Sequence, residues 1–196
     1  MFTSCAVVGH SFTWRFQRFV NTDEGVRPDL GFDGFEQIFD GRGGRKISDV
    51  ESMLEQNRAI FTRKKWGVIV LMVGDNNIVP GTTPNKVFRE LWHLCVRVQT
   101  LANSVVVVSG MTQRYSGWGG FNDIAREVNR LLHQQLKTAH RIVGLFPHYV
   151  AFPPAEKFAQ YQKHFLADGI HLSGSGHMLL YRALRKVLLD SRHIDQ

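Results

Sequence analysis

The sequence of 196 residues contains only two cysteines, and they do not form a C-x-x-C pair. Cys5 and Cys95 each lie within an apolar stretch, which favours buried free thiols over a disulfide bond or a cysteine metal site. This cysteine usage predicts a protein of a reducing compartment.

Long apolar runs are also missing. No uninterrupted apolar stretch approaches the ~18 residues that a membrane-spanning helix needs. The first thirty residues lack the basic segment, the apolar run and the small-residue cleavage site of a secretory signal. We therefore expect a soluble, non-secreted protein of the cytoplasm.

Common metal and cofactor motifs are absent as well. The nine histidines include no H-x-x-x-H pair and no other zinc-ligand spacing. The glycine turn at 41–44 (GRGG) lacks the third glycine of a dinucleotide fingerprint and the Lys-Ser/Thr of a phosphate-binding loop. The sequence therefore predicts neither a metal ion nor a cofactor.

The composition is that of a globular protein. Hydrophobic residues make up 43% of the chain and charged residues 21%, so a sizeable core can be buried. The length fits one domain, and we expect a single domain over residues 1–196.

Strand and helix patterns alternate along the chain. Short runs rich in β-branched residues predict buried strands, and a weaker run precedes the glycine turn: 5–8, 66–73, 104–109 and 141–146, with 35–39 as the weaker one. Helical periodicity follows the candidate N-caps Ser173, Thr83 and Ser48, and also covers 122–136. This order favours a doubly wound, flavodoxin-like α/β fold, a three-layer α/β/α sandwich around a five-stranded parallel sheet.

Ligands of such sheets bind beyond the carboxyl ends of the strands, so the residues that follow each strand carry the most information. Ser11 follows the first strand, the glycine turn follows the second, and Asn76 follows the third. Asp168 and His171 come late in the chain, three residues apart, so both side chains can lie on one side of a turn.

These residue types are the ones that acyl transfer requires. A serine hydroxyl needs an imidazole to take its proton, and the imidazole needs a carboxylate to fix its tautomer. Ser11, His171 and Asp168 supply these groups. The backbone N–H groups of Ser11 and Gly44, with the Asn76 amide, are suitable donors for an oxyanion.

Each residue also has a structural alternative. Ser11 alone is typical of a helix N-cap, and Asp168 with His171 could form a surface turn that leads into the last helix. Gly43 and Gly44 could be a tight turn only, and Asn76 could stabilise a local turn with its side chain. All of these alternatives must hold together for the catalytic interpretation to fail.

The ordered set Gly-x-Ser at 9–11, Gly-Gly at 43–44, Gly-x-Asn at 74–76 and Asp-x-x-His at 168–171 resembles the four sequence blocks of the SGNH (GDSL-like) hydrolases. The blocks extend over nearly the whole chain. The segments GHSF, GRGG and DGIHLS are similar to esterase-type domains of some non-LTR retrotransposons. The segments GRGG and VGDNN also resemble the platelet-activating-factor acetylhydrolase branch.

The resemblance implies an esterase with Ser11 as nucleophile, His171 as general base and Asp168 as its orienting acid. It places Ser11, Gly44 and Asn76 in the oxyanion hole. The implied substrates are small-molecule or lipid esters, with acetyl or other short acyl groups. The sequence departs from the family at two positions outside the triad, because His10 and Asn77 stand where aspartate is more frequent. These departures bear on substrate preference.

Four residues are candidates for substrate contact. His10 adjoins the nucleophile, and Arg114, Tyr115 and Trp118 lie in a segment at 110–121 that follows the fourth strand. That segment could line a pocket for the acyl group, or it could be a packed surface loop.

The formal net charge of +7 and the pI near 9.7 favour contact with anionic surfaces. The basic residues form short clusters at 42–46, 63–65 and 182–186, each of which could also be an ordinary solvated face. The alternative function is therefore a non-catalytic module of this fold, or a retroelement accessory domain, that holds nucleic acid through its basic face.

Overall fold

Five short strands form one parallel sheet: β1 (Ser4–Gly9), β2 (Glu36–Gly41), β3 (Val68–Met72), β4 (Val105–Ser109) and β5 (Ile142–Leu145). The computed structural model describes residues 3–56, 66–146, 158–191 and 194. The order of the strands is β2-β1-β3-β4-β5. The α/β fold with a five-stranded parallel sheet is thus confirmed.

Six α-helices connect and cover the described strands: α1 (Ser11–Thr22), α2 (Ile47–Gln56), α3 (Pro84–Ala102), α4 (Phe121–Leu136), α5 (Phe158–Gln162) and α6 (Gly174–Asp190). A 3-10 turn, Asp75–Asn77, follows β3. The short helix α5 and the 3-10 turn have no counterpart in the periodicity of the sequence. None of the helices in the described ranges is long and apolar enough to cross a membrane.

The sheet is buried between two helical layers. Neighbouring residues of a strand point to opposite faces. Val106 and Val108 of β4 therefore pack with α2, α3 and α4, whereas Val105 and Val107 pack with α1 and α6. Cys5 and Cys95 are buried free thiols, as predicted, and burial raises the pKa of Cys5 to about 12.

Two of the three N-caps predicted from the sequence are present. Thr83 caps α3 by accepting the Lys86 N–H, and Ser173 caps α6 by accepting the Gly176 N–H. The prediction of Ser48 as a cap was wrong, because α2 begins one residue before it, at Ile47. The carboxylate of Asp49 accepts the Lys46 N–H at 2.8 Å, and this contact satisfies a backbone donor just before the helix.

The chain runs from β1 outward to β2 and then returns to the other side of β1 to form β3. This reversal makes the crevice between the carboxyl ends of β1 and β3 the topological switch point of the sheet, where open α/β sheets bind ligands. The register places Gly9 opposite Met72, so both strands end at the same level.

Candidate active site

The nucleophile candidate lies at this switch point. Ser11 is the first residue of α1 and follows β1 by a single residue, His10. The turn is tight: a Cβ at Gly9 would lie 2.2 Å from the Met72 carbonyl oxygen, so only glycine fits there. The helix cap is His10 rather than the serine, since His10 Nδ1 accepts the Phe12 N–H at 3.3 Å. The Ser11 hydroxyl is therefore not used as a cap.

The loop before α6 places an imidazole beside this hydroxyl. Ser11 Oγ lies 3.2 Å from His171 Nε2, and His171 Nδ1 lies 2.7 Å from Asp168 Oδ2. Asp168 Oδ1 accepts the backbone N–H groups of Ile170 and His171 at 2.9 Å each. The carboxylate thus shapes the turn with one oxygen and orients the imidazole with the other. The structure brings together all three residues predicted for the triad.

The electrostatics of this loop keep its acid ionised. Desolvation acts to raise the pKa of Asp168, but the hydrogen bonds from His171 and from the two backbone N–H groups outweigh it and lower the pKa to about 2. The Asp168 side chain is 43% exposed and that of His171 is 22% exposed. A charged carboxylate favours the tautomer of neutral His171 that leaves the Nε2 lone pair facing Ser11.

A second histidine, His177, is buried on α6. Its ring stacks near Phe16 and Phe19, with centroids 6.4 and 5.4 Å away. Burial, helped by the positive charge of Arg15, lowers the pKa of His177 to about 4. His177 is therefore neutral at pH 7 and adds no charge near His171.

The candidate oxyanion donors lie on the two loops that flank the nucleophile. Gly44 is in the turn after β2 with φ +73°, in a conformation that favours glycine. The Asn76 amide donates one N–H to the Arg45 carbonyl at 3.1 Å. An amide carries two N–H donors, so this contact uses one of them while it ties the glycine turn to the 3-10 turn. Both residues remain oxyanion candidates.

His10 does not lie on an open surface. It is 3% exposed, and its Nε2 contacts the buried Asp75 carboxylate at 3.1 Å. The sequence analysis did not identify this pair. The sequence shows only that each residue closely follows a strand; that the two strands are neighbours with aligned ends is tertiary information.

The segment after β4 lies next to the acid loop. The Tyr115 N–H donates to the Gly169 carbonyl at 2.7 Å, and the Ser116 hydroxyl donates to the Asp168 carbonyl. The Tyr115 ring packs on Phe165, and burial raises the pKa of its hydroxyl to about 12. The sequence analysis did not identify Ser116 as a support for Asp168.

The two other candidates of this segment differ in exposure. The Arg114 guanidinium is half-buried and stacks over the Phe121 ring at 3.9 Å. Burial lowers the pKa of Arg114, against the attraction of the Asp75 charge. The Trp118 side chain is 43% exposed. Substrate contact by Arg114, Tyr115 and Trp118 stays a prediction.

Within the described ranges, no group of three or more His, Cys, Asp or Glu side chains is arranged to hold a metal ion.

Of the basic clusters, 63–65 lies outside the described residues. In the cluster at 42–46, Arg45 is engaged by the Asp40 side chain and by the Asp40 and Gly9 carbonyls.

Comparison with known proteins gives a consistent fold. No protein-family model and no curated protein matches the sequence. A member of the lipolytic protein G-D-S-L family from Veillonella parvula is 20% identical, with a TM-score of 0.67 over 96% of this chain and 98% of that one. A lipase/acylhydrolase from Enterococcus faecalis is 16% identical, with a TM-score of 0.68 over 94% of each chain.

A third solved structure is an acetyl esterase with a serine replaced by alanine and an acetate ion present. It is 14% identical, with a TM-score of 0.67 over 96% of this chain and 97% of that one. At these identities the likeness establishes architecture. The chain has the three-layer α/β/α fold of the GDSL-like lipolytic proteins.

Proposed function

We propose that this protein is a serine hydrolase that cleaves carboxylic esters through an acyl-enzyme on Ser11. One observation carries the proposal: Ser11 Oγ lies 3.2 Å from His171 Nε2 while Asp168 holds the opposite ring nitrogen at 2.7 Å. These distances are within hydrogen-bond reach, as proton transfer from a nucleophile to a base requires.

In the first half-reaction, Ser11 Oγ attacks the ester carbonyl as His171 Nε2 takes its proton. The carbonyl oxygen becomes an oxyanion, which the backbone N–H groups of Ser11 and Gly44 and the Asn76 amide stabilise. Each such donor is worth about 10² to 10³ in rate. His171 then gives its proton to the departing alcohol, which leaves an ester between Ser11 and the acyl group.

In the second half-reaction, a water molecule attacks the acyl carbon while His171 takes a proton from it. The tetrahedral intermediate collapses, the Ser11 oxygen leaves and recovers a proton from His171, and the carboxylic acid is released. Asp168 stabilises the imidazolium form of His171 in both halves and stays ionised, because its pKa is about 2.

The proposed substrates are esters with acetyl or other short acyl groups. The supporting comparison is the acetyl esterase of the same fold, whose structure contains an acetate ion. The lipolytic neighbours extend the proposal to lipid esters as a second substrate class.

The test is hydrolysis of p-nitrophenyl acetate and butyrate by the purified protein and by Ser11→Ala. We expect a loss of at least ~10³ in kcat/KM, since residues of a triad act as a unit. Labelling with a fluorophosphonate probe, followed by mass spectrometry of the modified peptide, identifies the nucleophile directly.

Ser48→Ala is the matched control, because Ser48 is an exposed serine on α2. It should hydrolyse the esters and react with the probe like the unmodified protein. Turnover that Ser11→Ala leaves intact, or a label on another residue, would exclude Ser11 as the nucleophile.

A further inference from the structure

A second histidine-aspartate pair lies beneath the nucleophile, outside the triad. His10 is 3% exposed and Asp75 is 4% exposed, and His10 Nε2 lies 3.1 Å from Asp75 Oδ2. His10 follows β1 and Asp75 follows β3, so the pair bridges the two strand ends that form the switch point. Two polar side chains buried this deeply need each other as partners.

The contacts of the His10 ring fit one of its two tautomers. Nδ1 accepts the Phe12 N–H, so it must carry a lone pair. The proton of the neutral ring is then on Nε2, which donates it to Asp75. Phe12 directly follows Ser11, and its N–H is one of the helix-start donors that a cap must satisfy. Asp75 therefore holds the ring in the orientation that caps the nucleophile's helix.

The pair also reaches toward the acid loop. The other carboxylate oxygen of Asp75 accepts the Thr112 N–H at 2.9 Å. Thr112 begins the segment whose Tyr115 N–H and Ser116 hydroxyl bind the carbonyls of Gly169 and Asp168. The nucleophile turn and the acid loop are thus connected through the interior as well as through the direct contacts of His171 with Ser11 and with the Phe12 ring.

We propose that His10 and Asp75 are positioning residues that set the distance between Ser11 Oγ and His171 Nε2. This inference rests on the proposed function. Neither residue touches the reacting atoms: His10 acts through the start of α1, and Asp75 acts through His10 and through the segment after β4. A small cavity of about 10 Å³, lined by His10, Asp75 and Thr112, lies beside the pair.

Two substitutions break the pair while they spare most of the surrounding packing. Asp75→Asn has the same shape but only one acceptor oxygen, so it cannot accept from both His10 and Thr112. His10→Asn keeps an oxygen that can cap α1, since asparagine is a preferred N-cap, but its shorter side chain does not reach Asp75. The variant that carries both His10→Asn and Asp75→Asn completes a double-mutant cycle.

The expected result is a loss of kcat for p-nitrophenyl acetate of about 10-fold to 100-fold in each single variant, because misplacement of reacting groups by about 1 Å costs up to 10² in rate. KM should change by less than about threefold, since His10 and Asp75 are both buried and so do not offer the substrate contact that was predicted for His10. The double variant should lose no more kcat than the less active of the two single variants, because His10 and Asp75 act through the same chain of contacts.

Ser104→Ala is the control for an effect on stability alone. Ser104 is 1% exposed and its hydroxyl donates to the Trp66 carbonyl at the amino end of β4, away from the site. It should lower the thermal midpoint without changing kcat for the folded protein. The same thermal melts report the folded fraction of the His10 and Asp75 variants at the assay temperature.

If Ser11→Ala abolishes turnover, the proposed function holds, and three results would then overturn this inference alone. The first is kcat within twofold of the unmodified protein in both single variants, and the second is a loss of kcat explained by the unfolded fraction. The third is a double variant whose fold-loss of kcat equals the product of the fold-losses of the two single variants. Turnover that survives Ser11→Ala overturns the proposed function, and with it this inference.

Discussion

Replacement of Asp168 by asparagine is the sharpest test of the candidate triad, because the two carboxylate oxygens have separate tasks. Oδ1 accepts the Ile170 and His171 backbone N–H groups, and Oδ2 faces His171 Nδ1 at 2.7 Å. Asparagine can keep an oxygen at the first position and so preserve the turn. Its NH₂ group then faces His171 Nδ1, where a donor meets a donor.

The imidazole can resolve this conflict by changing tautomer. Nδ1 then carries the lone pair and Nε2 carries the proton, so Nε2 can no longer accept the Ser11 hydroxyl proton. We expect kcat to fall by about 10⁴, which corresponds to about 5 kcal/mol of transition-state stabilisation. KM should stay within a few fold, because Asp168 does not contact the substrate in the proposed mechanism.

The effect on stability should be far smaller. The folded-state pKa of Asp168 is lowered from 3.8 to about 2, which corresponds to roughly 2 kcal/mol before solvent screening. The side chain is 43% exposed, so about 1 kcal/mol is a reasonable net contribution. Because the pKa is depressed, this stability is present above pH 4 and is lost as the pH falls through about 2.

At pH 7 the thermal midpoint of Asp168→Asn should therefore drop by only about 2 to 4 °C. The assay is p-nitrophenyl acetate hydrolysis at 25 °C, with thermal unfolding followed in parallel. Asp168→Ala is the companion variant: it removes the turn contacts too, so it should be less stable but equally inactive. A folded Asp168→Asn protein with more than a tenth of the original kcat would refute the assignment of Asp168.

Three further predictions concern pH, the glycine turn and the basic face. His177→Gln should leave the acid limb of the pH profile of kcat/KM unchanged, because burial lowers the pKa of His177 to about 4 and the residue is already neutral at pH 7; a displaced limb would contradict this. Gly44→Ala should lower the free energy of unfolding, measured by urea melts, by about 1 to 2 kcal/mol, because residue 44 has a positive φ. If the Gly44 N–H serves the oxyanion, the variant should also have a lower kcat in the ester assay. If the basic face holds nucleic acid, filter binding should weaken steeply with salt; retention that salt does not change would exclude phosphate contacts as its source.

The central strands were predictable because they are buried on both faces. Val68–Met72 and Val105–Ser109 appear in the sequence as continuous β-branched runs, which is the pattern of a parallel sheet covered by helices. β2 gave a weaker signal because it is an edge strand with half-exposed residues, among them Ile38 at 39% exposure. Its bounds, Glu36–Gly41, also include the first glycine of the turn that the sequence assigned to a loop.

Helix starts were predictable where the cap is a hydroxyl residue. Thr83 and Ser173 both accept a backbone N–H from inside the helix, as their position in the sequence indicates. The cap of α1 was not predictable by this rule, because a histidine performs it. At α2 the carboxylate of Asp49 accepts the N–H of Lys46, the residue just before the helix, so the predicted cap at position 48 lies two residues too late.

The candidate triad could be assembled from the sequence because its acid and base are three residues apart and its serine follows a strand directly. The support beneath it required tertiary information. His10 and Asp75 are 65 residues apart, and they meet only because β1 and β3 are neighbours in the sheet with Gly9 opposite Met72. A strand order with β2 between them would have separated the two side chains by a further strand spacing of about 5 Å.

This pairing also gives a physical reason for the departure at position 10. The resemblance to the SGNH hydrolases leads one to expect aspartate there, but a second carboxylate next to buried Asp75 would bring two like charges together in the interior. Histidine removes that conflict, because its ring donates to Asp75 through Nε2 and still accepts the Phe12 N–H through Nδ1. Residues 10 and 75 therefore form one buried unit in which an imidazole donor meets a carboxylate acceptor.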